Sequence, residues 1–389
     1  MPRSKSLMVF ILAFGIFGII NTEMGIIGIL PQIAVKYGIS VSQAGLLVSL
    51  FALAVAIAGP ILPLLFSGVN RKAIMLCVVG LFVITNVIAI FASNFTIALI
   101  ARIVPAFFHP VYFSVAFTSA TSFVSKDQAP KAIARVFMGV TAGMVIGIPI
   151  TSFIADVSTI EMAMLFFAVV NALAFIAILL FVPSMPVMER VSYGTQLSVL
   201  KKPVLWLSMI TAAFVLSGMY AVFSFFAEYL DKVTRMSGGL ISLMLVLFGG
   251  AGIIGNLFAG KWLSQHAART ALLFPFGLGV IYLLVYLMGA FTMPMAVLIL
   301  LWGVLFTLGL NISQYWITSA ASEAPDFANG LFVAFGNLGV TIGTSVGGLF
   351  VSGMGTEHVV WSGILFMVLS FVTIALRTSM YRTKQVSSG

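Results

Sequence analysis

The chain has few charged residues: Asp, Glu, Lys and Arg together make up 7% of its 389 residues. An ordinary soluble domain carries about 25% of these four types. Hydrophobic residues make up 61% of the chain, and a soluble fold of this length cannot hide that much apolar surface from water. These proportions exclude an ordinary soluble protein and predict that lipid surrounds most of the chain.

Cysteine and histidine are also scarce. The single cysteine, Cys77, lies in an apolar run, so an intramolecular disulfide is excluded. The three histidines, His109, His266 and His358, are far apart in sequence and match no metal-ligand spacing. We therefore expect no bound metal and no other cofactor.

Two kinds of motif are missing from the sequence. No segment resembles the phosphate-binding pattern Gly-x-x-x-x-Gly-Lys-Ser/Thr, which argues against nucleotide hydrolysis by this chain. No nucleophile stands in a recognisable arrangement with a base on a soluble scaffold. We therefore do not expect an enzyme, although a membrane-embedded enzyme or a membrane sensor stays as a disfavoured alternative.

Apolar stretches follow one another along the chain, and about 20 such residues cross the hydrocarbon core as a helix. The first stretch resembles a secretory signal, but it is too long for one and lacks a convincing cleavage site, so we expect a retained span. We predict an all-α membrane protein with twelve transmembrane helices, near residues 7–32, 43–66, 73–92, 96–122, 133–155, 161–182, 204–230, 238–263, 271–291, 294–318, 329–353 and 359–377.

The longest polar stretch divides these spans six and six. It contains Glu189 and Arg190 and is interpreted as a linker. The predicted organisation is an N-terminal six-helix bundle over residues 1–182, a cytoplasmic linker over 183–203, and a C-terminal six-helix bundle with a short cytoplasmic tail over 204–389.

The basic residues predict the orientation of the spans. If the N-terminus is cytoplasmic, only Lys36, Lys232 and Arg235 fall in outside loops, and Arg102 falls within the fourth span. The rest of the 19 Lys and Arg residues fall in inside segments. We therefore expect both termini in the cytoplasm, and we interpret the net charge of +9 as a topology signal with some anionic-lipid contact rather than as nucleic-acid binding.

Glycine series occur at the same ordinal place in the two halves, which indicates an internal duplication. A spacing of four places small residues on one helix face, so another helix is expected to approach closely. Pro149 is expected to bend the end of its span. The series are Gly139, Gly143 and Gly147 in span 5, and Gly336, Gly339, Gly343 and Gly347 in span 11.

Four stretches carry a family resemblance when they are taken in order. They are residues 21–34 with the following Ser42-Gln43-Ala44-Gly45, residues 101–114, residues 139–149 and residues 249–256. In these stretches the chain resembles the twelve-span drug:proton antiporter branch of the major facilitator superfamily, and within it the sugar-efflux (arabinose-efflux-permease-like) and purine-efflux groups. The similarity covers essentially the whole chain.

The resemblance implies a secondary active transporter in the bacterial inner membrane. It implies proton-coupled efflux of a small molecule (a sugar, a purine or nucleoside, or a drug) by alternating access, carried out by a monomer. The alternative is an uncoupled facilitator, or an importer, of a small polar solute.

The loop between spans 2 and 3 departs from the family pattern Gly-x-Leu-x-Asp-Arg-x-Gly-Arg-Arg. Ser67 stands in the place of the acid and Gly68 in the place of the first arginine, so only the basic end, Arg71 and Lys72, survives as a gating motif. The Gly-Trp-Arg that usually follows span 5 is also missing. These departures leave room for the facilitator.

Three titratable residues within spans are candidates for proton coupling. The carboxylate of Glu23 would cost roughly 2.5–3.5 kcal/mol at mid-depth, so it should face a cavity or a partner. Arg102 needs an anion, carbonyl groups or water, and the resemblance implies that it assists proton transfer. His109 lies seven residues further on the same helix face. The structural alternatives are a Glu23 that reaches outer water, an interfacial Arg102 and a neutral, satisfied His109.

Polar and aromatic residues within spans are candidates for substrate contact. Polar groups in hydrocarbon require partners, so they line a cavity or bridge helices, whereas aromatic side chains in such a protein also serve as ordinary packing. The candidates are Asn21, Phe108, Tyr112, Tyr220, Asn311, Gln314 and Asn337.

Overall fold

A computed structural model describes residues 3–39, 41–187 and 192–386. These residues form α-helices and short 3₁₀ turns, with no strand in the described ranges. The helices are α1 (Arg3–Gly25), α2 (Leu30–Tyr37), α3 (Val41–Ala44), α4 (Leu46–Ala58), α5 (Leu62–Phe66), α6 (Arg71–Ile90), α7 (Phe95–Ser122), α8 (Ala129–Val157), α9 (Ile160–Phe181), α10 (Tyr193–Ser198), α11 (Pro203–Phe223), α12 (Phe226–Lys232), α13 (Gly238–Met288), α14 (Thr292–Ala320), α15 (Pro325–Met354) and α16 (Val359–Val386).

Ten helical segments of the described chain are long and apolar enough to cross a membrane. The longest, α13, has 51 residues and leaves helical geometry at His266 (φ −143°, ψ 49°), so it holds both predicted spans 8 and 9. The predicted span 2 is divided into α4 and α5 at Gly59–Ile61. With these two adjustments the described chain matches the twelve predicted spans, and the all-α membrane fold is confirmed.

The first span of each half is broken, whereas the sequence predicted one continuous helix. α1 ends at Gly25, and a 3₁₀ turn over Ile26–Ile29 leads into α2. Pro31, in the first turn of α2, has no amide hydrogen for a helix continuing from α1. In the second half, α11 ends at Phe223 and α12 begins at Phe226; nothing in the sequence there explains the break.

Two further boundaries differ from the prediction. α16 continues to Val386, beyond the predicted end of span 12 at residue 377, because no Gly or Pro interrupts the helix there. The predicted linker contains the short helix α10. Glu189 and Arg190 of that linker lie outside the described residues.

The chain divides into two compact units. Unit 1 contains Met1–Tyr193 and Pro325–Ala334, and unit 2 contains Gly194–Ala324 and Phe335–Gly389. The change at Tyr193 falls inside the predicted linker, and the domain limits at residues 182 and 204 stay predictions. The segment Pro325–Ala334, the N-terminal part of α15, belongs with unit 1 although the rest of α15 does not.

In unit 1 the predicted glycine face of α8 packs against α1. A Cβ atom on Gly139 would lie 2.0 Å from the carbonyl oxygen of Ala13, far inside normal contact distance. A Cβ on Gly147 would lie 2.4 Å from Oδ1 of Asn21, and Gly143 is similarly crowded by Ile20. The glycine face of α8 thus lies directly against α1, which is the kind of close helix approach that small residues allow.

Unit 2 repeats this contact between α15 and α11. A Cβ on Gly343 would lie 2.2 Å from the carbonyl oxygen of Ser217, and one on Gly347 would lie 2.2 Å from that of Ala221. The two glycine series therefore hold corresponding helices, the fifth span on the first in each half, as the internal duplication predicts.

Candidate functional site

A buried acid and a buried histidine face each other in unit 1. Glu23 lies near the C-terminal end of α1, and His109 lies in α7. Oε2 of Glu23 and Nε2 of His109 are 3.2 Å apart, and the two side chains are 9% and 4% exposed. Neither atom has a hydrogen-bond partner among the described residues, so the pair is close without the geometry of a hydrogen bond. The two predicted proton-coupling residues thus form a pair that does not reach open water.

The surroundings of His109 are aromatic. Its ring stacks on Phe113 with centroids 4.2 Å apart, and it meets the ring of Phe51 edge-on at 6.0 Å. Such walls do not solvate a charge. The permanently charged guanidinium of Arg102 belongs to the same site, since it lies 5.1 Å from the centroid of the Phe51 ring and attracts Glu23 electrostatically. A change in the number of protons on Glu23 and His109 therefore changes the net charge of the site, and an unbalanced charge in apolar surroundings is costly.

Arg102 binds the backbone at the end of α1. Its guanidinium donates from Nε to the carbonyl of Leu47 (2.7 Å), from Nη1 to that of Thr22 (2.9 Å) and from Nη2 to that of Glu23 (2.6 Å). Carbonyl groups in the last turn of an α-helix have no partners within the helix. Arg102 therefore satisfies the backbone where α1 breaks, and it reaches the Glu23 carbonyl group rather than the Glu23 carboxylate.

Burial argues against the structural alternatives for Glu23 and Arg102. Both residues are 7% exposed, so neither is an interfacial side chain that extends into water or headgroups. The proton-coupling roles of Glu23, Arg102 and His109 stay predictions. The structure brings all three to the junction of α1 and α7.

A hydrogen-bond network that the sequence analysis missed surrounds Thr22. The side-chain amides of Asn171 in α9 and Asn86 in α6 donate to Oγ1 of Thr22, at 2.9 and 3.2 Å. Asn171 also donates to the carbonyl of Gly18 in α1, at 3.1 Å. Asn86 and Asn171 are isolated polar residues in apolar spans, and such residues require partners. The same criterion identified Asn311 in the sequence analysis and could have identified these two residues.

A cavity of about 20 Å³ adjoins this network, bordered in part by Thr22, Asn86 and Arg102. This volume is room for about one water molecule, and the polar border supplies the partners that a buried water needs. The network therefore offers a place for water close to the backbone of Glu23.

The remaining candidates of unit 1 pack tightly. Asn21 is fully buried against Gly147, and neither of its amide atoms has a hydrogen-bond partner among the described residues. The Tyr112 hydroxyl donates to the carbonyl of Leu12 at 3.4 Å. The ring centroids of Phe108 and Phe66 are 6.1 Å apart. Tyr112 and Phe108 thus have packing roles, and substrate contact by any of the three stays a prediction.

The surviving basic residues of the loop motif begin α6. Oδ1 of Asn70 caps this helix and accepts from the backbone amide of Lys72 at 3.0 Å. The Lys72 ammonium group donates to the carbonyl of Leu179 at 2.9 Å, and the Arg71 amide donates to that of Met185 at 3.1 Å. These bonds hold the loop to the end of α9.

An acid does lie near Arg71, but it comes from α15 rather than from the loop. Asp326 attracts Arg71 electrostatically, and its carbonyl accepts a hydrogen bond from Oγ of Ser114 at 2.7 Å. Nearby, a Cβ on Gly330 would lie 2.3 Å from the carbonyl oxygen of Gly59, so the backbones touch. Sequence analysis missed Asp326 because the attraction links residues that are far apart in the sequence.

The candidates of unit 2 have neutral partners. Nδ2 of Asn311 in α14 donates to Oδ1 of Asn256 in α13 at 2.7 Å, and to the carbonyl of Thr307 at 2.8 Å. Oγ1 of Thr307 donates to the carbonyl of Gly252 at 2.9 Å. Asn311 is thus a residue that bridges helices, which was one of the two roles expected of it.

The other candidates of unit 2 lie among different neighbours. The ring of Tyr220 packs against Phe223 and Phe306, with centroids 6.0 and 5.3 Å apart. Gln314 is buried in α14. Asn337 is partly buried in α15, and its carbonyl accepts from the hydroxyl of Thr341. Substrate contact by these residues stays a prediction.

Comparisons with known proteins agree with this architecture. The sequence profile described as Major Facilitator Superfamily matches residues 12–325. The chain is 32% identical over 366 residues to an uncharacterized MFS-type transporter, YtbD, of Bacillus subtilis, covering 92% of this chain and 91% of that protein. It is 26% identical over 364 residues to the inner membrane transport protein YdhP of Escherichia coli K12, covering 93% and 94%.

Among solved structures, the human organic anion transporter MFSD10 (TETRAN) is similar in fold. The TM-score is 0.79 at 12% sequence identity, with 96% of this chain and 100% of that chain covered. The chain therefore belongs to the Major Facilitator Superfamily, and it is a membrane-embedded, multi-pass transporter of a small solute rather than an enzyme.

Proposed function

We propose that this transporter exports a small molecule in exchange for protons across a bacterial inner membrane, with both termini in the cytoplasm. The observation that supports the proposal is the buried pair of Glu23 and His109, whose facing atoms are 3.2 Å apart and have no hydrogen-bond partner among the described residues. Ionisable residues that pair with one another inside transmembrane spans typically mark ion pathways and proton relays in transporters, and Arg102, which attracts Glu23, belongs to the same cluster.

The chemistry of the pair supplies the coupling. A change in the number of protons on the pair changes the net charge of the pocket that the pair shares with Arg102, and an unbalanced charge there is stabilised when a conformational change opens the pocket to water. The exterior of an energised cell is more acidic than its cytoplasm. Protonation from outside therefore displaces the substrate there, and deprotonation towards the cytoplasm resets the site.

Two further interactions support the proposal: one positions the pair, and the other is proposed to act in gating. Arg102 holds the carbonyls of Thr22 and Glu23, which fixes where the Glu23 carboxyl group lies relative to α7. The attraction between Arg71 and Asp326 supplies the opposite charges that the loop motif lacks. In this proposal Asp326 takes the place of the absent loop acid in gating.

The substrate proposed is a sugar, a purine or nucleoside, or an amphipathic drug. A site with one acid, one histidine and several amides suits a neutral polar molecule or a cation better than a dianion. The protein is proposed to work as a monomer, with the substrate, protons and lipid as its partners.

The test is a measurement of internal pH in proteoliposomes while candidate sugars, purines and cationic drugs are added. Native protein is compared with Glu23→Gln, which keeps the shape of the side chain but cannot bind a proton as an acid. The matched control is Glu161→Gln, since Glu161 lies in the same unit but pairs with Lys36 (2.7 Å) with its side chain 44% exposed. We expect substrate-dependent proton movement in native protein and control, and none in Glu23→Gln.

Three other outcomes contradict the proposal. Substrate flux without proton movement, equal in all three proteins, would identify an uncoupled facilitator and leave Glu23 with a structural role. Proton and substrate moving in the same direction would identify an importer. Normal proton-driven export by Glu23→Gln would remove Glu23 from the mechanism while leaving export intact.

A further inference from the structure

A cavity of about 310 Å³ lies in unit 2 at the bend of α13. Its polar rim consists of Trp262, His266, Arg269 and Thr270. Leu273, Phe274 and Leu308 contribute to its apolar wall. This volume is at the lower end of the range for ligand pockets, and the site has no role in the proposed proton pathway.

The rim is built by the bend itself. His266 leaves helical geometry, and Oγ1 of Thr270 donates to the His266 carbonyl at 2.9 Å, which closes the turn. The side chains of His266 and Arg269 are exposed. The bend therefore presents a cation and an imidazole together at one end of the cavity.

The wall is suited to a hydrocarbon chain. Leu273 is 57% exposed, whereas Phe274 and Leu308 form a buried floor at 2% and 3%. Trp262 stacks on Phe258 with centroids 5.2 Å apart and is itself 39% exposed. A tryptophan beside basic residues at the end of an apolar helix is typical of the membrane–water interface.

The cations at this bend have no anion from the neighbouring helices. The sequence contains no acidic residue between Asp231 and Glu323, so α13 and α14 have none. Of the salt bridges among the described residues, none includes Arg269 or the nearby Lys261. An anion that balances the rim must come from outside these helices.

We propose that this cavity binds an anionic phospholipid, with its phosphate at Arg269 and His266 and an acyl chain along Leu273 and the apolar floor. A basic rim with an apolar wall matches both ends of such a lipid, whereas a free phosphate ion would leave the wall unused. The predicted orientation places the bend in the cytoplasmic leaflet, where anionic lipids make the surface negative.

The test is native mass spectrometry of the purified full chain in detergent, titrated separately with phosphatidylglycerol, phosphatidylcholine and inorganic phosphate. We expect phosphatidylglycerol to bind more tightly than phosphatidylcholine, and phosphate to displace neither. Arg269→Gln should weaken phosphatidylglycerol binding roughly fivefold, the effect of one basic residue near an anionic lipid surface. The matched control is Lys126→Gln, an exposed basic residue at a turn that does not border the cavity.

Two more variants distinguish a loss of the binding site from a folding defect caused by Arg269→Gln. Arg269→Lys keeps the charge and should keep most of the binding. Leu273→Trp fills the mouth from an exposed position and should weaken phosphatidylglycerol binding while the rim stays intact. Equal effects of Arg269→Gln and Lys126→Gln, or equal binding of the two phospholipids, would overturn the proposal. Displacement of phosphatidylglycerol by inorganic phosphate would show an anion site without lipid selectivity, which also overturns it.

Discussion

The two units place a glycine-rich helix on the first helix of their half in the same way, but they bury different chemistry beside it. Around α1 lie a carboxyl group, an imidazole and a guanidinium group, from Glu23, His109 and Arg102. Helices α11, α13, α14 and α16 contain no acidic residue at all. A duplicated scaffold thus supports titratable groups in one unit and neutral amides and aromatic rings in the other.

The buried arginines sharpen this comparison. In unit 2, Arg377 is 8% exposed, donates to Oγ of Ser208 at 2.7 Å and to the carbonyl of Trp316 at 3.0 Å, and lies 3.9 Å from the centroid of the Trp316 ring. Like Arg102, it is held by neutral acceptors. A buried arginine is therefore common to both units and does not by itself mark proton transfer; the pair of Glu23 and His109 is the feature that distinguishes unit 1.

The largest expected effect comes from the group that distinguishes unit 1. His109→Gln removes the imidazole that faces Glu23, so, if the proposed coupling holds, proton-coupled flux should fall by about 100-fold, the lower end of the range for loss of an acid–base group. Asn311→Ala in unit 2 should leave the number of protons moved per substrate unchanged. Proteoliposome flux with a pH dye measures both, and equal losses in both variants would contradict the division between the units.

Replacement of either buried arginine should lower the free energy of unfolding by a similar amount. Arg102→Gln and Arg377→Gln each leave buried acceptors unpaired, so the free energy of unfolding should fall by about 3 kcal/mol in each. Chemical denaturation in detergent measures this. Arg102→Lys should not recover the stability, because one ammonium group does not match three carbonyls held in a fork geometry. A stable Arg102→Gln that lost only proton coupling would assign Arg102 to proton transfer instead.

A larger residue in the glycine-lined helix contact should lower stability by a similar amount in both units. Gly139→Val and Gly343→Val force side chains against backbone carbonyls, so each should cost about 1–3 kcal/mol of stability, the usual range for overpacking. The control is Gly250→Val in α13, where an added Cβ would meet no atom within 4 Å beyond the neighbouring backbone of its own helix. Thermal unfolding in detergent measures the three variants. A Gly139 variant as stable as the control would show that α8 and α1 are not in close contact.

The smallest effect is expected at a surface ion pair of unit 2. A hydrogen bond from Lys202 holds the pKa of Glu323 below its ordinary value of 4.5. The stabilisation is therefore present above pH 4.5 and is lost as the pH falls through the lower, folded-state pKa. Because the pair is largely exposed, we expect less than about 1 kcal/mol. Glu323→Gln should remove this part of the acid dependence of thermal unfolding; an unchanged pH profile would show that the pair contributes nothing.

Part of the candidate site was predictable because it depends on the cost of polarity in lipid. Glu23, Arg102, His109 and Asn311 stand out in apolar spans, and all four are buried with specific neighbours. The same reasoning extends to Asn86 and Asn171. Asp326 differs, because it lies at the start of a span, where an acid needs no special explanation, and its partner Arg71 belongs to a distant part of the chain.

The sequence by itself determined that the protein is helical and lies in a membrane, because in lipid each backbone polar group must be satisfied within its own helix. It also determined which residues are costly enough to need partners. Only the tertiary structure decided that Glu23 meets His109 while Arg102 binds the carbonyls where α1 breaks. Such pairings depend on the rotation and the lengthwise position of each helix relative to its neighbours. A local pattern of residues does not specify this relative placement.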